Sequence, residues 1–377
     1  MSFFGNGAIN RVNLHTGIQT LAQGAGGVFV MVFLLRAGVP LPVVFLTQGA
    51  MSAVRFVLRS FVVPLAKRIG LKWTLIAGTV LEAAIFPLLP LVHGPDVWLL
   101  VMIGVSAIGS ALYWTSYHAY FASLGDPEHR GGQIGAREAL AALVNIVAPL
   151  LGGWALATEG PWVMFLAAGL IQVLAAVPLI GAPNIAILKD APGGYRAARF
   201  AAAMMATDGW LSAGYHYVWL IALFLALGEN YQTYGGALAL AGVAGAACGL
   251  VAGRMVDLGH GRRSTLVAYG IGALILGARA ASLETPWLAV TANAVGALLM
   301  ALQPTVMMTP IYNLSKHSPC PLRFHVATEG GWDIGCTSGC LAAAALTWAG
   351  QPLSVSILLA LAGAAASVAM LWRAYRR

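Results

Sequence analysis

Long apolar runs recur along the whole chain, and short stretches of glycine, proline and charged residues separate them. Each run reaches about 20 residues, the length at which an α-helix crosses the hydrocarbon core of a bilayer. The pattern predicts an all-α membrane protein with 12 transmembrane helices. The predicted spans are 12–36, 41–66, 73–92, 97–121, 132–157, 161–181, 200–227, 233–256, 264–282, 286–313, 324–348 and 353–373.

The longest polar interval lies in the middle of the chain and divides the spans six and six. We therefore predict an N-terminal six-helix bundle (1–181), a cytoplasmic linker (182–199) and a C-terminal six-helix bundle (200–377). The two halves resemble each other at an offset of about 190 residues, which predicts pseudo-symmetry. Six-helix repeats of this kind place a binding site near the midplane, where rocking of the halves alternates access to it.

Composition narrows the class of protein. Of 377 residues, 59% are hydrophobic and 9% are charged, against about a quarter charged in a soluble domain. These values exclude a soluble enzyme, a disordered scaffold and a nucleic-acid partner. The net charge of +8 comes mostly from loops on one side of the membrane. The positive-inside rule then places both termini in the cytoplasm, as in a multi-pass protein of a bacterial inner membrane.

One loop carries a recognisable signature. Gly253-Arg254-Met255-Val256-Asp257, followed by Gly261-Arg262-Arg263, resembles the loop motif of the major facilitator superfamily, although the spacing departs by one residue. The first-half copy keeps only Gly70 and Lys72. The resemblance implies the major facilitator fold and a cytoplasmic gate. The alternative is plain positive-inside charge, which we favour for the first-half copy. The gating candidates are Gly253, Asp257, Gly261, Arg262, Arg263, Gly70 and Lys72.

Span five holds a second resemblance. Gly135, Pro149 and the pair Gly152-Gly153 match the motif of proton-driven antiporters of this superfamily, whereas Val144 and Ala148 stand where that motif has glycine. Span four lacks the arginine that these antiporters carry. Ordinary close packing of small residues is the competing interpretation.

Ionisable groups inside the spans are functional candidates, because a charge in hydrocarbon needs a partner or a water-filled cavity. Asp208 lies about nine residues into span seven, roughly 13 Å along the helix and near the midplane. A structural hydrogen bond to span one or eleven is its alternative role. Glu138 and Glu329 could instead serve a cytoplasmic gate. The proton-coupling candidates are Asp208, Glu329, Asp333 and Glu138.

Two buried arginines, Arg55 and Arg59, share one face of span two. Their forked donors suit an anionic substrate group, but an internal salt bridge to Glu82, Asp208 or Asp333 is equally compatible with the sequence. In the resembled family spans one, four, seven and ten face the cavity. Amide and aromatic stripes there suit an amphipathic organic solute. The remaining substrate-binding candidates are Gln19, Gln23, Tyr113, Tyr117, His118, Tyr215, His216, Trp219 and Gln303.

Cys336 and Cys340 share one helical face and could accept a soft metal ion, but buried cysteine commonly behaves as an apolar residue. We predict no metal, no cofactor, no enzymatic activity and a monomer. No nucleotide-binding signature supports ATP drive. The sequence predicts a secondary transporter of a small organic solute, working by alternating access and proton-coupled export. The alternatives are proton-coupled or facilitated uptake of an anionic solute, and a non-transporting assembly factor or sensor.

Overall fold

Helices form all the regular secondary structure in the part of the chain that the computed structural model describes, residues 6–124, 130–188, 190–256 and 261–375. Twelve long helices lie within these ranges. They are α1 (Gly7–Arg36), α2 (Leu41–Ile69), α3 (Leu71–Leu91), α4 (Val97–Leu124), α5 (Arg130–Thr158), α6 (Gly160–Ile180), α7 (Arg199–Ala226), α8 (Tyr231–Val256), α9 (Gly261–Ala281), α10 (Pro286–Lys316), α11 (Pro321–Trp348) and α12 (Leu353–Ala374).

Nine of the described helices are long and apolar enough to cross a membrane. They are α1 to α4, α6, α7, α12, the segment Leu140–Thr158 of α5 and the segment Arg262–Ala281 of α9. The predicted all-α membrane fold is therefore confirmed. That all twelve helices cross the membrane stays a prediction.

Predicted and observed helix ends differ by up to five residues. The largest difference is at α1, which begins at Gly7 rather than residue 12. The side chain of Asn6 caps this helix by accepting a hydrogen bond from the Ile9 backbone N–H at 3.1 Å. The cap satisfies a backbone donor that has no partner inside the helix, so the helix includes the polar residues Asn10 and Arg11.

Helix α2 is irregular beside its two arginines. A 3₁₀ turn spans Arg59–Phe61 and separates two α-helical segments. Pro64, four residues after Ser60, has no backbone N–H to donate to the Ser60 carbonyl, and its ring crowds that turn. Short 3₁₀ stretches within a helix mark functional hinges in many proteins. Here the 3₁₀ turn begins at Arg59.

The first six and the last six helices meet along two seams, α2 against α11 and α5 against α8. Glycine allows the close approach at the second seam. A Cβ atom on Gly153 would clash with the backbone oxygen of Tyr231, and one on Gly235 would clash with the backbone oxygen of Pro149. Because no side chain separates the two backbones at these glycines, α5 and α8 approach each other closely. Each seam joins one helix of each half.

Candidate functional site

An ion cluster lies on the seam between α2 and α11. Asp333 of α11 is completely buried and accepts hydrogen bonds from two arginines of α2. The Arg55 Nε donates to Oδ1 at 2.5 Å, and the Arg59 Nε donates to Oδ2. The two arginines are four residues apart, so one helical face carries both guanidinium groups. Of the three partners that the sequence left open for Arg55, the structure shows Asp333.

Helix α4 completes the cluster from a third side. The Arg55 Nη1 donates to the Ser110 hydroxyl at 2.9 Å, and the Arg59 Nη1 donates to the Thr115 hydroxyl at 2.5 Å. Buried guanidinium groups are tolerated only when their donors are satisfied. The two hydroxyls therefore fix the direction in which each arginine points, and they connect α4 to the seam.

Glu329, one turn before Asp333, extends the cluster. Its Oε2 lies 3.4 Å from the Arg59 Nη2, and its Oε1 lies 3.6 Å from the His118 Nε2. Two carboxylates thus face two guanidinium groups, which balances the formal charge of these four side chains. His118 in turn contacts the Tyr312 hydroxyl through Nδ1 at 2.9 Å. The cluster reaches α2, α4, α10 and α11.

Aromatic and imidazole rings line the end of the cluster nearer the linker. The rings of His118 and His325 stack with centroids 5.7 Å apart, and Tyr312 lies 5.8 Å from His325. Arg137 of α5 donates to the Tyr117 hydroxyl at 3.0 Å. These side chains come from α4, α5, α10 and α11, so both halves of the chain contribute to one aromatic, polar region.

Asp208 of α7 lies in a separate polar group. The Gln303 side-chain amide of α10 donates to its carboxylate, and the Trp332 side chain of α11 lies beside the same carboxylate. Among the described residues, no lysine or arginine lies within ion-pair distance of Asp208. Its partners are neutral donors, in contrast to the arginines that surround Asp333.

Trp332 connects the two acidic groups. Its side chain lies beside Asp208, while the Arg55 guanidinium lies 5.0 Å from its ring centroid, a cation–π distance. Arg55 is also bound to Asp333. The Trp332 side chain therefore lies between Asp208 and the ion cluster, where a change in charge at Asp208 can affect it.

The region just described belongs to a fold that other proteins share. A family model described as Major Facilitator Superfamily matches residues 18–309. The chain belongs to the Major Facilitator Superfamily. Members of this superfamily are transporters, so the chain is a multi-pass membrane protein of the secondary-transporter class.

Solved structures agree with this assignment at the level of fold. The human organic anion transporter MFSD10 (TETRAN) matches with a TM-score of 0.71 and 12% identity, over 98% of this chain and 99% of that one. The outward conformation of the transporter FucP matches with a TM-score of 0.67 and 14% identity, over 97% and 98%. A variant of the E. coli fucose:proton symporter FucP matches with 0.68 and 14%, over the same shares. A search of curated proteins by sequence found no similar one.

The superfamily's loop signature falls largely outside the described residues. Asp257 is not described, and neither are the surroundings of Gly253 and Gly261. Arg262 places its guanidinium 5.2 Å from the Trp372 ring of α12 in the same half of the chain. The described geometry thus leaves a latch between the halves as a prediction.

The first-half copy of the signature holds the linker. Lys72 donates from Nζ to the Ile180 carbonyl at 3.1 Å, and its backbone N–H donates to the Asn184 side chain at 3.2 Å. Gly70 has a φ of +83°, which favours glycine, and links α2 to α3. These contacts join α3 to the end of α6 and to the linker. They lie on the linker side of the ion cluster.

The span-five motif is used for packing. Gly152 approaches the backbone oxygen of Ala25 in α1, Gly153 approaches α8, and the Cβ of Ala148 would lie 2.8 Å from one placed on Gly24. Small residues on α5 therefore let it contact α1 and α8 at once. Gly135 and Glu138 belong to α5, but the surroundings of these two residues are not described.

The polar stripe on α1 binds neighbouring helices. The His15 ring contacts the Ala175 carbonyl through Nδ1 at 2.7 Å and the Tyr113 hydroxyl through Nε2 at 3.2 Å. Gln23 donates to Gln172 at 3.5 Å, and Gln19 is buried. The Tyr113 and Tyr117 rings stack at 5.8 Å. These contacts join α1 to α4 and α6.

Glu82 of α3 also binds neutral groups. Its carboxylate accepts a hydrogen bond from Gln172 at 3.3 Å and interacts with Ser110. Ser110 is the hydroxyl that accepts from Arg55, so this serine lies between Glu82 and the ion cluster.

We predicted that the aromatic stripe on α7 lines the solute cavity, but its two largest side chains are packed against neighbouring helices. The Tyr215 hydroxyl donates to the Gly296 carbonyl at 2.5 Å, and the Trp219 Nε1 donates to Asn293 at 2.9 Å. Both aromatic side chains are buried among α9 and α10, and His216 is half-buried. At the other end of this stripe, Asp208 faces Gln303 of α10.

Arg279 of α9 stands near the end of its helix and is not among the site residues predicted from the sequence. It is buried, with its guanidinium 4.1 Å from the Tyr215 ring and 4.6 Å from the Trp219 ring. Its Nη1 donates to the Tyr215 carbonyl at 2.7 Å. That carbonyl lies in a π-helical turn over Ala213–Val218. A π-turn widens the helix and displaces backbone carbonyls from their usual partners, which explains the available acceptor.

The two cysteines of α11 lie together at the same seam. The Cys336 and Cys340 Sγ atoms are 4.0 Å apart, and the Ser52 hydroxyl lies 3.4 Å from Cys336. No group of three or more histidine, cysteine or acidic side chains suited to a metal occurs within the described residues. Both cysteines are buried and pack with Ala213, Tyr217 and Trp332.

Proposed function

We propose that this superfamily member exports a small organic solute in exchange for protons, by alternating access. The observation that carries the proposal is the position of Asp333, which binds both arginines of α2 across the seam between the halves. An ion cluster at this place holds α2 and α11 together while its charges are balanced. A change of charge there alters the contact that rocking of the halves has to break.

Asp208 is the proton carrier that the contacts favour. Protonation of Asp333 would leave two buried arginines with Glu329 as their only carboxylate, and a buried charge without a partner is costly. Protonation of Asp208 breaks no ion pair, because its described partners are the neutral side chains of Gln303 and Trp332. A carboxyl that can be ionised or neutral at low cost suits the repeated uptake and release of a proton.

Trp332 couples the carrier to the seam. When Asp208 is ionised it accepts the Trp332 hydrogen bond, which holds the indole ring near Arg55. When Asp208 is protonated that acceptor is weaker, so the ring is less restrained beneath the guanidinium. The charge on Asp208 and the geometry of the Arg55–Asp333 pair are thereby linked. Glu329 and Glu138 are the further acids that we assign to proton transfer near the linker side.

The solute-binding region that we propose is the aromatic, polar region between α4, α5, α10 and α11. Tyr117 and His118 provide rings with polar edges, which suit an amphipathic organic molecule better than a bare ion. The neighbouring structures are named as an organic anion transporter and a fucose:proton symporter, both carriers of organic solutes. The further residues that we keep as proposed solute contacts are Gln19, Gln23, Tyr113, Tyr215, His216, Trp219 and Gln303.

Uptake of an anionic solute is the second candidate, and the arginine pair favours it. Arg55 and Arg59 present forked donors that fit a carboxylate or a phosphate. In this alternative an anion replaces Asp333 as the partner of one arginine when the seam opens. A non-transporting scaffold or sensor is disfavoured, because five ionisable groups at membrane depth are costly and a protein that does not transport has no need of them. They are Arg55, Arg59, Asp208, Glu329 and Asp333.

The setting that we propose follows from charge. Basic loop residues on one side place both termini in the cytoplasm of a bacterial cell, with the protein in the inner membrane. We also propose that the halves 1–181 and 200–377 move as two domains joined by the linker 182–199, and that one chain forms the transporter.

The test is transport by purified protein in liposomes under an imposed pH gradient. Ethidium and fluorescein serve as fluorescent probes of a lipophilic cation and an organic anion. Proton-coupled export predicts that a probe accumulates in vesicles whose lumen is more acidic than the outside, because protons that leave the lumen drive the probe into it. Flux that follows the probe's own gradient and ignores pH would favour facilitated transport. Absence of flux for every organic solute tested would favour the scaffold.

A further inference from the structure

A lateral groove lies beside the ion cluster, on the outer surface of the helix bundle. Its volume is about 750 Å³, and α2, α7 and α11 form its walls. Alanine and glycine make the groove, because their short side chains leave space between the helices. The small residues that line it are Ala202, Ala203, Ala206, Ala327, Gly330 and Gly331.

The rim of the groove faces the hydrocarbon. Phe56 is 45% exposed, Val57 is 63% exposed and Ile334 is 51% exposed, and in a multi-pass membrane protein such apolar surface is in contact with lipid. Phe56 lies 13 residues from the end of α2 at Ile69, roughly 20 Å along the helix. The groove thus opens into the leaflet on the side of the linker.

The end of the groove nearest the linker is basic. Lys67 lies two helical turns beyond Ser60, a lining residue of α2, and Arg199 lies one turn before Ala203 on α7. Residues at these spacings share a helical face. Arg196 follows the lining residue Tyr195 directly. All three basic side chains are exposed, and among the described residues none of them forms an ion pair.

Arg59 forms part of the groove wall, but its guanidinium is bound to residues inside the helix bundle. Its guanidinium binds Asp333, Glu329 and Thr115, so its charge is already compensated inside the bundle. The charge that a ligand would meet is therefore at the mouth, where three cations stand at the level of the head groups. A groove that is apolar within the leaflet and basic at its surface matches a molecule with an acyl chain and an anionic head.

We propose that this groove binds an anionic phospholipid of the leaflet on the linker side. One acyl chain lies between α2, α7 and α11, and the phosphate is held by Lys67, Arg196 and Arg199. A zwitterionic lipid fits the apolar part equally well but gains less at the mouth, because its own cation is repelled by the three basic residues. The proposal concerns lipid binding alone and does not depend on what the protein transports.

Retention of lipid by the purified protein, measured by native mass spectrometry, tests the proposal. Phosphatidylglycerol and phosphatidylcholine with the same acyl chains are offered to delipidated protein. We expect phosphatidylglycerol to be retained preferentially, and the double variant Lys67→Gln, Arg199→Gln to lose about 25-fold in its affinity, roughly fivefold per basic residue. The matched control is Lys316→Gln, Arg373→Gln, which removes two exposed basic residues outside the groove and leaves retention unchanged.

The groove itself is tested by Ala203→Trp, because this exposed position can accept a large side chain that fills the groove. We expect it to lower retention of both lipids. Equal retention of the two lipids by the unmodified protein would overturn the proposal, as would equal loss in the two double variants. Unchanged retention in Ala203→Trp, combined with lost solute flux, would assign the groove to a transported solute and would overturn it as well.

Discussion

Arg59 and Asp333 form an ion pair between α2 and α11, and 1% of Arg59 and none of Asp333 is exposed. The pair lies where a 3₁₀ turn interrupts α2, so the least regular part of that helix carries its most buried charge. Arg55 binds the same carboxylate from the preceding turn. The relationship makes one aspartate the meeting point of the two halves, and several measurable consequences follow from it.

Replacing Asp333 with asparagine should destabilise the protein strongly. The change leaves Arg55 and Arg59 buried without their shared carboxylate, and removal of one partner from a buried ion pair costs about 3–5 kcal/mol. Denaturant unfolding in detergent measures the change in free energy. The control is Asp96→Asn, because Asp96 caps α4 at the surface and takes no part in the cluster.

A second variant separates the charge effect from a general defect in packing. Adding Arg55→Gln to Asp333→Asn removes one of the two unpaired cations, and we expect it to restore part of the lost stability. If Arg55→Gln destabilised the Asp333→Asn variant as much as it destabilises the wild type, the shared-carboxylate account would be wrong.

Trp332→Phe should impair proton coupling while leaving the fold nearly unchanged. Phenylalanine keeps an aromatic ring beneath Arg55 but lacks the indole N–H, the group through which we propose that Trp332 bonds Asp208. We expect gradient-driven flux to fall about tenfold or more, with a change in unfolding free energy of about 1 kcal/mol for the lost hydrogen bond. Trp332→Leu removes both contacts and should lose more of each. Equal flux in the wild type and Trp332→Phe would exclude this route of coupling.

The seam between α5 and α8 predicts opposite effects at two adjacent glycines. A Cβ on Gly235 would strike the Pro149 carbonyl, whereas a Cβ on Gly236 meets open space. We expect Gly235→Ala to destabilise by about 1–3 kcal/mol through overpacking. Gly236→Ala should be neutral or stabilising by up to about 1 kcal/mol, because alanine favours the helix. Thermal unfolding followed by circular dichroism compares the two, and equal shifts would show that the backbones are not in contact.

Arg279→Lys should destabilise the protein although the charge is kept. Lysine cannot stack on Tyr215 and Trp219 while donating to the Tyr215 carbonyl, contacts that arginine makes together. We expect a loss of about 1–3 kcal/mol. The matched change is Arg36→Lys, whose exposed pair with Glu229 is worth less than about 1 kcal/mol. Similar small losses at both positions would contradict a clamp at the π-turn.

The sequence predicted the helices and the buried charges because each depends on local composition. Apolar runs located the spans, and Arg55, Asp208, Glu329 and Asp333 stood out as charges within them. Their pairing could be narrowed only to a set of acids, since three acids were compatible with Arg55. Choosing Asp333 required knowing that α2 lies against α11, and that contact depends on tertiary packing rather than on helical spacing.

Other parts of the site could not be predicted from the sequence. Helical spacing shows which residues share a face, but it does not show which neighbouring helix packs against that face. Tyr215 and Trp219 share a face with Asp208 by spacing, yet a π-turn rotates that face and they pack against α9 and α10. Arg279 looked like a loop charge because it stands near a helix end. Trp332 gave no signal of its own, although it lies one residue before Asp333.

The central claim is that Asp208 carries the coupled proton, and comparison of two transport modes in Asp208→Asn tests it most directly. Exchange of labelled for unlabelled solute across liposomes needs no net proton movement, whereas accumulation driven by a pH gradient does. The solute is the best probe found in the gradient assay, and Asp96→Asn is the control. The account predicts that Asp208→Asn retains exchange and loses accumulation. Accumulation at the wild-type level in Asp208→Asn would contradict it.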